Sequence, residues 1–244
     1  MYTEFKQEDL QILTFIDSHP FLNSYEINLF FGYKINTLRK RLRILYEYKY
    51  VSYIISRNYG GYKYYFTTNL GHKNSFNSNF RYFKRDVQSI KLFLFHDIES
   101  NKFFINLKEF SLKNKVEFSN WISDIYTKIE FRYSGRTFTL IPDGFINFAG
   151  LDIYLELDRG TEDFFKILKK IEYYSNFYLS LEYRKYFKKF PHVIFILPDE
   201  KRKTLMESKV SDYLNINKYK DELNFFRFFT KDEFYSDPKI IYMV

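Results

Sequence analysis

The sequence predicts an α/β protein in which a small helical module precedes a domain built on a mixed sheet. Three observations carry this. Apolar residues recur at helical spacing three times before Tyr48, a Gly60-Gly61 pair separates two β-rich segments, and from Thr137 onward short strands alternate with helices. The chain has 244 residues and a net charge of +8. Its basic excess is concentrated: residues 1–85 hold 13 Lys and Arg against 6 Asp and Glu, whereas residues 86–244 hold 25 against 24. That asymmetry suggests a polyanion-binding module joined to a balanced domain. The absence of Cys excludes disulfides, zinc ribbons, Fe–S clusters and thiol catalysis, and His19, His72, His96 and His192 have no metal-ligand spacing. No apolar run approaches the ~20 residues that span a bilayer, and Met1–Leu10 lacks a signal-peptide pattern. The expectation is a soluble, cytoplasmic protein without a membrane partner.

In the first module, Asp9–Ser18 carries Leu10, Leu13 and Ile16 at helical spacing and stops before Pro20. A second helix opens with Ser24 as N-cap and runs to Gly32. A third starts near Asn36, where Leu38, Leu42 and Leu45 share one face and leave Arg39, Lys40 and Arg43 pointing away from it. Two β-rich segments follow, Tyr50–Ser56 and Tyr62–Thr67, joined through Gly60-Gly61, a hairpin signal because both residues tolerate positive φ. Three short helices and a two-stranded ribbon are the order of a winged helix-turn-helix, whose third helix enters the major groove of double-stranded DNA. Arg39, Lys40 and Arg43 on that helix, with Arg57 and Lys63 beside the ribbon, are the candidate DNA contacts. The bland alternative is a solvated basic face on an ordinary helix.

The 30 Phe and 24 Tyr could suggest base stacking, but a single Ala beside abundant Phe, Tyr, Lys, Asn and Ile is the profile of an AT-rich genome. Aromatic content is therefore not taken as a nucleic-acid signal. Domain boundaries follow from composition: a DNA-binding module over 1–70, a polar connection over 71–85 with the basic cluster Arg81, Lys84 and Arg85, and a second domain over 86–244.

That domain opens with a long apolar-periodic segment, about Asp86–Phe110, and a predicted helix over Ser119–Glu130 holding the only Trp, Trp121. Strands are expected at Thr137–Ile141, Phe145–Phe148 and Leu151–Asp158. The last alternates strictly, with Leu151, Ile153, Leu155 and Leu157 on one side and Asp152, Tyr154, Glu156 and Asp158 on the other. A helix over about Glu162–Leu181, an apolar strand His192–Leu197, a helix over Asp199–Leu214 and a strand near Phe225–Phe229 complete an αβββαβα order.

Asp143, after Pro142, and Glu156 on the next strand can point into one cleft and supply the hard oxygen ligands that Mg²⁺ prefers; Asp158, two residues on, adds charge. Alternation alone would leave the same residues on a water-exposed sheet face.

The Pro142-Asp143 and Glu156-Leu157-Asp158 motifs, in this element order, resemble the PD-(D/E)xK nuclease superfamily. More narrowly the chain resembles the replication-relaxation proteins of plasmids and integrative elements, through NTLRKRLRILYEYKYVSYIISRNYGGYKYYFTTNLGHK, HDIESNKFFINL, IPDGFINF, LELDRGTEDFFKILKKIEYYSNFY and HVIFILPDEKR, together covering roughly residues 8–230. The resemblance implies a winged helix-turn-helix followed by a PD-(D/E)xK-like αβββαβ domain. It implies a function in replication, relaxation or transfer of a mobile element, as a Mg²⁺-dependent endodeoxyribonuclease or as a non-enzymatic DNA-binding regulator. In the nuclease reading Asp143 and Glu156 hold the metal and Asp158, Lys170 and Tyr174 complete the site. The motif lysine two residues after the Glu is replaced by Asp158, so Lys169 or Lys170 on the following helix must take its role. Double-stranded DNA is the partner expected from the basic module, with a relaxase or replication protein and a second copy of the chain, as a homodimer, as further candidates.

Overall fold

The structure, a computed structural model, describes residues 5–78, 87–160, 163–216 and 224–242. The chain divides into two compact units, Met1–Glu109 and Phe110–Val244.

Unit 1 begins with α1 (Gln7–Ser18), α2 (Ser24–Phe31) and α3 (Ile35–Glu47). The cap of α2 is Asn23 rather than Ser24. Its Oδ1 accepts from the N–H groups of Tyr25 and Glu26, while the Glu26 carboxylate accepts from Asn23 N–H at 2.7 Å, a reciprocal capping box that a serine one residue later would not form. Gly32, at φ 64°, ends the helix. On α3 the buried stripe is Leu38, Leu42, Ile44 and Leu45, and Arg39, Lys40 and Arg43 stand exposed as the leucine spacing predicts.

Strands β1 (Val51–Ser56) and β2 (Tyr62–Thr67) form the expected antiparallel ribbon, with Val51 opposite Thr67 and Ser56 opposite Tyr62. The tip is a 3₁₀ turn, Arg57–Tyr59, followed by Gly60 and Gly61 at φ 78° and 69°. A Cβ on Gly60 would stand 2.8 Å from the ring of exposed Tyr62, which would have to shift, and the positive φ disfavours a side chain there in any case. The short helix α4 (Asn69–Asn74), capped by the Thr68 hydroxyl, falls where composition suggests a connection. The cluster Arg81, Lys84 and Arg85 lies outside the described residues. Helix α5 (Val87–Asn114) follows, the long helix expected from the apolar-periodic segment. The ribbon tip is held twice: within the ribbon the Tyr64 hydroxyl donates to the Tyr59 carbonyl, and on α5 Phe95 packs near the Tyr59 ring with Lys102 Nζ 4.1 Å from its centroid.

A buried carboxylate ties unit 1 together. Asp17 of α1 accepts from Thr67 Oγ1 at 2.7 Å, His72 Nδ1 at 2.9 Å and Ser75 Oγ at 2.8 Å, joining α1, β2 and α4. All four residues are buried.

Unit 2 contains β3 (Phe118–Ser123), β4 (Ile129–Tyr133), β5 (Arg136–Leu140), β6 (Gly144–Phe148), β7 (Leu151–Leu157), α6 (Phe164–Leu179), β8 (His192–Leu197), α7 (Glu200–Ile216), β9 (Phe226–Thr230) and α8 (Lys231–Ser236). Five strands form a mixed sheet in the order β3-β6-β7-β8-β9, antiparallel from β3 to β7 and parallel from β7 to β9; β4 and β5 make a separate hairpin. The α/β class with a mixed sheet is therefore what the structure has.

The predicted helix over Ser119–Glu130 is wrong. Those residues form β3, a 3₁₀ turn at Asp124–Tyr126 and the start of β4. Trp121, Ile125 and Ile129 mimic helical spacing, but Phe118 pairs with Phe148 and Ile122 with Phe145, with a register shift at Asn120-Trp121 that breaks the alternation a strand would show. Long-range pairing outweighs the local period.

The alternation expected of β7 is present, but from Ile153 onward both faces are buried. Tyr154 and Glu156 are as buried as Ile153 and Leu155. Helix α6 covers the Tyr154 face with Ile167, Ile171 and Tyr174, in a core that also takes in Val193, Phe195, Met206 and Val210.

Candidate functional site

The acidic site is assembled by β6, β7 and α6. The Asp143 N–H donates to the Leu155 carbonyl at 3.0 Å, and Asp143 Oδ2 accepts from Leu157 N–H at 2.7 Å. The residue before β6 is thus stitched to both neighbours of Glu156, which sets the two carboxylates in adjacent register. The chain around Pro142 is held by the Thr127 hydroxyl, donating to the Pro142 carbonyl at 2.6 Å. On α6, capped by Asp163, Lys170 and Tyr174 are one turn apart and lie over the centre of β7.

Both reach Glu156. Lys170 Nζ lies 2.7 Å from Oε2, and the Tyr174 hydroxyl donates to Oε1 at 2.6 Å. Glu156 is 1% exposed and Tyr174 is fully enclosed, while Lys170 keeps 28% of its side chain open to solvent. Burial pushes the Glu156 carboxyl up to about 7 and the Asp143 charge adds to this, against the lowering pull of Lys170. Burial, then the neighbouring Glu156 charge, raises the Tyr174 phenol well above its ordinary value.

Asp158 goes elsewhere. It lies just past the end of β7, where Oδ1 accepts from Gly160 N–H and Oδ2 pairs with Arg202 Nε at 2.6 Å. The Arg202 guanidinium in turn stacks on Phe164, 4.0 Å from its ring centroid. Asp143, Glu156, Lys170 and Tyr174 are therefore brought together, and Asp158 is tied to α7. Lys169, the other candidate for the displaced lysine, points along the outside of α6 over Tyr173. With Lys166, Lys170 and Tyr173 it lines a shallow pocket of about 250 Å³ beside the site. Arg202 escapes a reading of the sequence because its only signal is its position near the start of a helix 44 residues beyond its partner.

The basic candidates of unit 1 form a second, exposed group. Arg39, Lys40 and Arg43 are on the outer face of α3, Arg57 at the ribbon tip and Lys63 on β2. By contrast Arg41, on the inner edge of α3, is paired with Glu8 and Asp9. Arg39 Nη2 donates to the Tyr25 hydroxyl at 2.8 Å, Lys63 Nζ lies 4.1 Å from the Tyr53 ring centroid, and Arg43 makes an exposed bridge to Glu47. The involvement of Tyr25 and Tyr53 cannot be read from aromatic content, which is high along the whole chain.

Among the described residues, no helix is long and apolar enough to cross a membrane. No curated protein and no solved structure matches the chain. The model of the replication-relaxation family matches residues 13–193, from within α1 to the start of β8, and so takes in both the basic face of α3 and the Asp143–Glu156–Lys170 cluster. The chain belongs to the replication-relaxation family.

Proposed function

We propose that the protein is a DNA-binding factor that acts in replication, relaxation or transfer of a plasmid or other mobile element, and that unit 1 works as a winged helix on double-stranded DNA. The observation that carries this is the outer face of α3, where Arg39, Lys40 and Arg43 stand exposed above a fully buried leucine stripe and beside a ribbon bearing Arg57 and Lys63. Phosphate contacts of this kind release counterions, so affinity falls with salt. Replacing Arg39 and Arg43 together by Ala should weaken duplex binding and reduce the salt slope by about 0.9 for each phosphate that is no longer neutralised. Unchanged affinity and slope would remove α3 as the DNA-binding element.

For unit 2 the Asp143–Glu156–Lys170 cluster supports a PD-(D/E)xK-like centre whose lysine comes from α6 instead of β7. The donor set fits a hard cation: two carboxylates in adjacent register, one of them partly open to solvent. Asp143 and Glu156 would hold Mg²⁺, which when bound polarises a phosphodiester and lowers the pKa of an attacking water. Lys170 holds positive charge at the rim of the cluster, placed to steady charge on a phosphate. Tyr174 fixes the second Glu156 oxygen in the core.

A specific observation favours the non-enzymatic alternative, in which this domain serves assembly. Both Glu156 oxygens already accept from Lys170 and Tyr174, and Asp158 is neutralised by Arg202. Incubation with supercoiled plasmid in Mg²⁺ or Mn²⁺ separates the two. Nicking or linearisation that disappears in both Asp143→Ala and Lys170→Ala identifies a nuclease. Intact plasmid with the wild-type protein, under conditions where it binds DNA, identifies the assembly domain.

A further inference from the structure

Compositional bias explains how many tyrosines the chain has but not where they stand. Among the described residues of unit 1, four tyrosines are exposed, and three of them, Tyr25 (51%), Tyr46 (47%) and Tyr62 (48%), line one groove of about 670 Å³ between α3 and the ribbon. Half-buried Tyr53 lines it too, packed 5.2 Å from Tyr46. Two of the three cations that line the groove lie against these rings. The Arg39 guanidinium is 5.1 Å from the Tyr25 centroid and bonded to its hydroxyl, and Lys63 Nζ is 4.1 Å from that of Tyr53. Among the lining residues the one carboxylate is Glu47, and its bridge to Arg43 is a solvent-exposed i,i+4 pair of the kind that contributes little. The groove therefore presents aromatic faces and net positive charge together.

A duplex keeps the faces of its bases stacked on one another and offers a protein only phosphates and base edges. Rings walling a concavity have nothing to stack on there. Unpaired bases do offer free faces, and aromatic platforms beside cations that track the backbone are how single strands are held without sequence preference. We infer that this groove binds single-stranded DNA, with unpaired bases against Tyr46 and Tyr62 and backbone phosphates on Arg39 and Lys63. The inference rests on the reading of unit 1 as the DNA-binding element and adds the strand state that it selects.

The test uses the full-length protein, an oligothymidylate of about 15 nucleotides with one central 2-aminopurine, and a duplex of equal length, matched to the site sizes of single-strand binders. Binding of the wild type should quench the 2-aminopurine, reporting stacking directly. Replacing Tyr46 and Tyr62 together by Leu should weaken single-strand binding roughly tenfold per ring and change duplex affinity by less than about threefold. The Tyr46→Phe, Tyr62→Phe pair, which keeps both rings, should bind single strands like the wild type. Three results would each overturn the inference while leaving duplex binding standing: no quenching in the bound complex, equal losses for both DNAs in the Leu pair, or tighter binding of single-stranded RNA of the same length. Failure of the wild type to bind either DNA would instead sink the DNA-binding reading itself, and the inference with it.

Discussion

Two buried carboxylates, Asp17 in unit 1 and Glu156 in unit 2, are enclosed to a similar degree and serve different ends. Asp17 accepts from Thr67, His72 and Ser75, all buried, so its network closes on itself and links three elements. Glu156 accepts from one buried phenol and one lysine that reaches solvent, and a second carboxylate, Asp143, stands in the next register position. Burial penalises charge at both places. At Glu156 burial, with the neighbouring Asp143 charge, outweighs the lowering pull of Lys170 and raises the carboxyl to about 7. A closed network marks a structural knot. The Glu156 network instead reaches water through the side chain of Lys170.

Three measurements break or sharpen this contrast. The largest effect is expected at Asp17. Asp17→Ala leaves three buried donors without their acceptor and should cost about 3–5 kcal/mol in denaturant unfolding of the full chain. A loss below about 1 kcal/mol would show that the knot is not structural. The next concerns the sign of the Glu156 effect. Between 4.5 and about 7 the folded protein holds a proton there that the unfolded chain has released, so stability falls as pH rises through that window. Relative to wild type, Glu156→Gln should gain up to about 3 kcal/mol between pH 4.5 and 8, since one pKa unit is worth about 1.4 kcal/mol. Parallel pH profiles would mean that the carboxyl is fully compensated after all. The smallest effect is expected at Lys170, whose head is partly solvated. Lys170→Ala should cost about 1–2 kcal/mol at pH 8, where it strands a buried negative charge, and almost nothing at pH 5, where Glu156 is protonated. Equal losses at the two pH values would reduce Lys170 to a packing residue.

The exposed features are the most legible in the sequence. The leucine spacing of α3 locates Arg39, Lys40 and Arg43 outside, and Gly60-Gly61 locates the ribbon, because helical period and turn chemistry are local properties. The Asp143–Glu156 pair is legible because strand alternation and the chain reversal at Gly150 are local too. The meeting of Lys170 and Tyr174 with Glu156 can be read only as far as helical spacing carries, which aligns the two residues without naming what they face. The pairing of Asp158 with Arg202 cannot be read at all, since it depends on how α7 returns over the sheet. Trp121 looks helical in the sequence for the same reason: strand pairing with β6 is a property of the folded chain and leaves no mark on the local period once the register shifts.

The anchoring of the ribbon tip by Tyr59 has a kinetic consequence. A loop that must become ordered on contact surrenders conformational entropy and slows productive encounter, whereas one already held by Tyr64, Phe95 and Lys102 does neither. Docking of a polyanion on this ribbon would then be a rigid-body collision guided by the long-range field of a basic surface. Added salt should slow the association rate through weaker steering, with no conformational gating phase at any ionic strength.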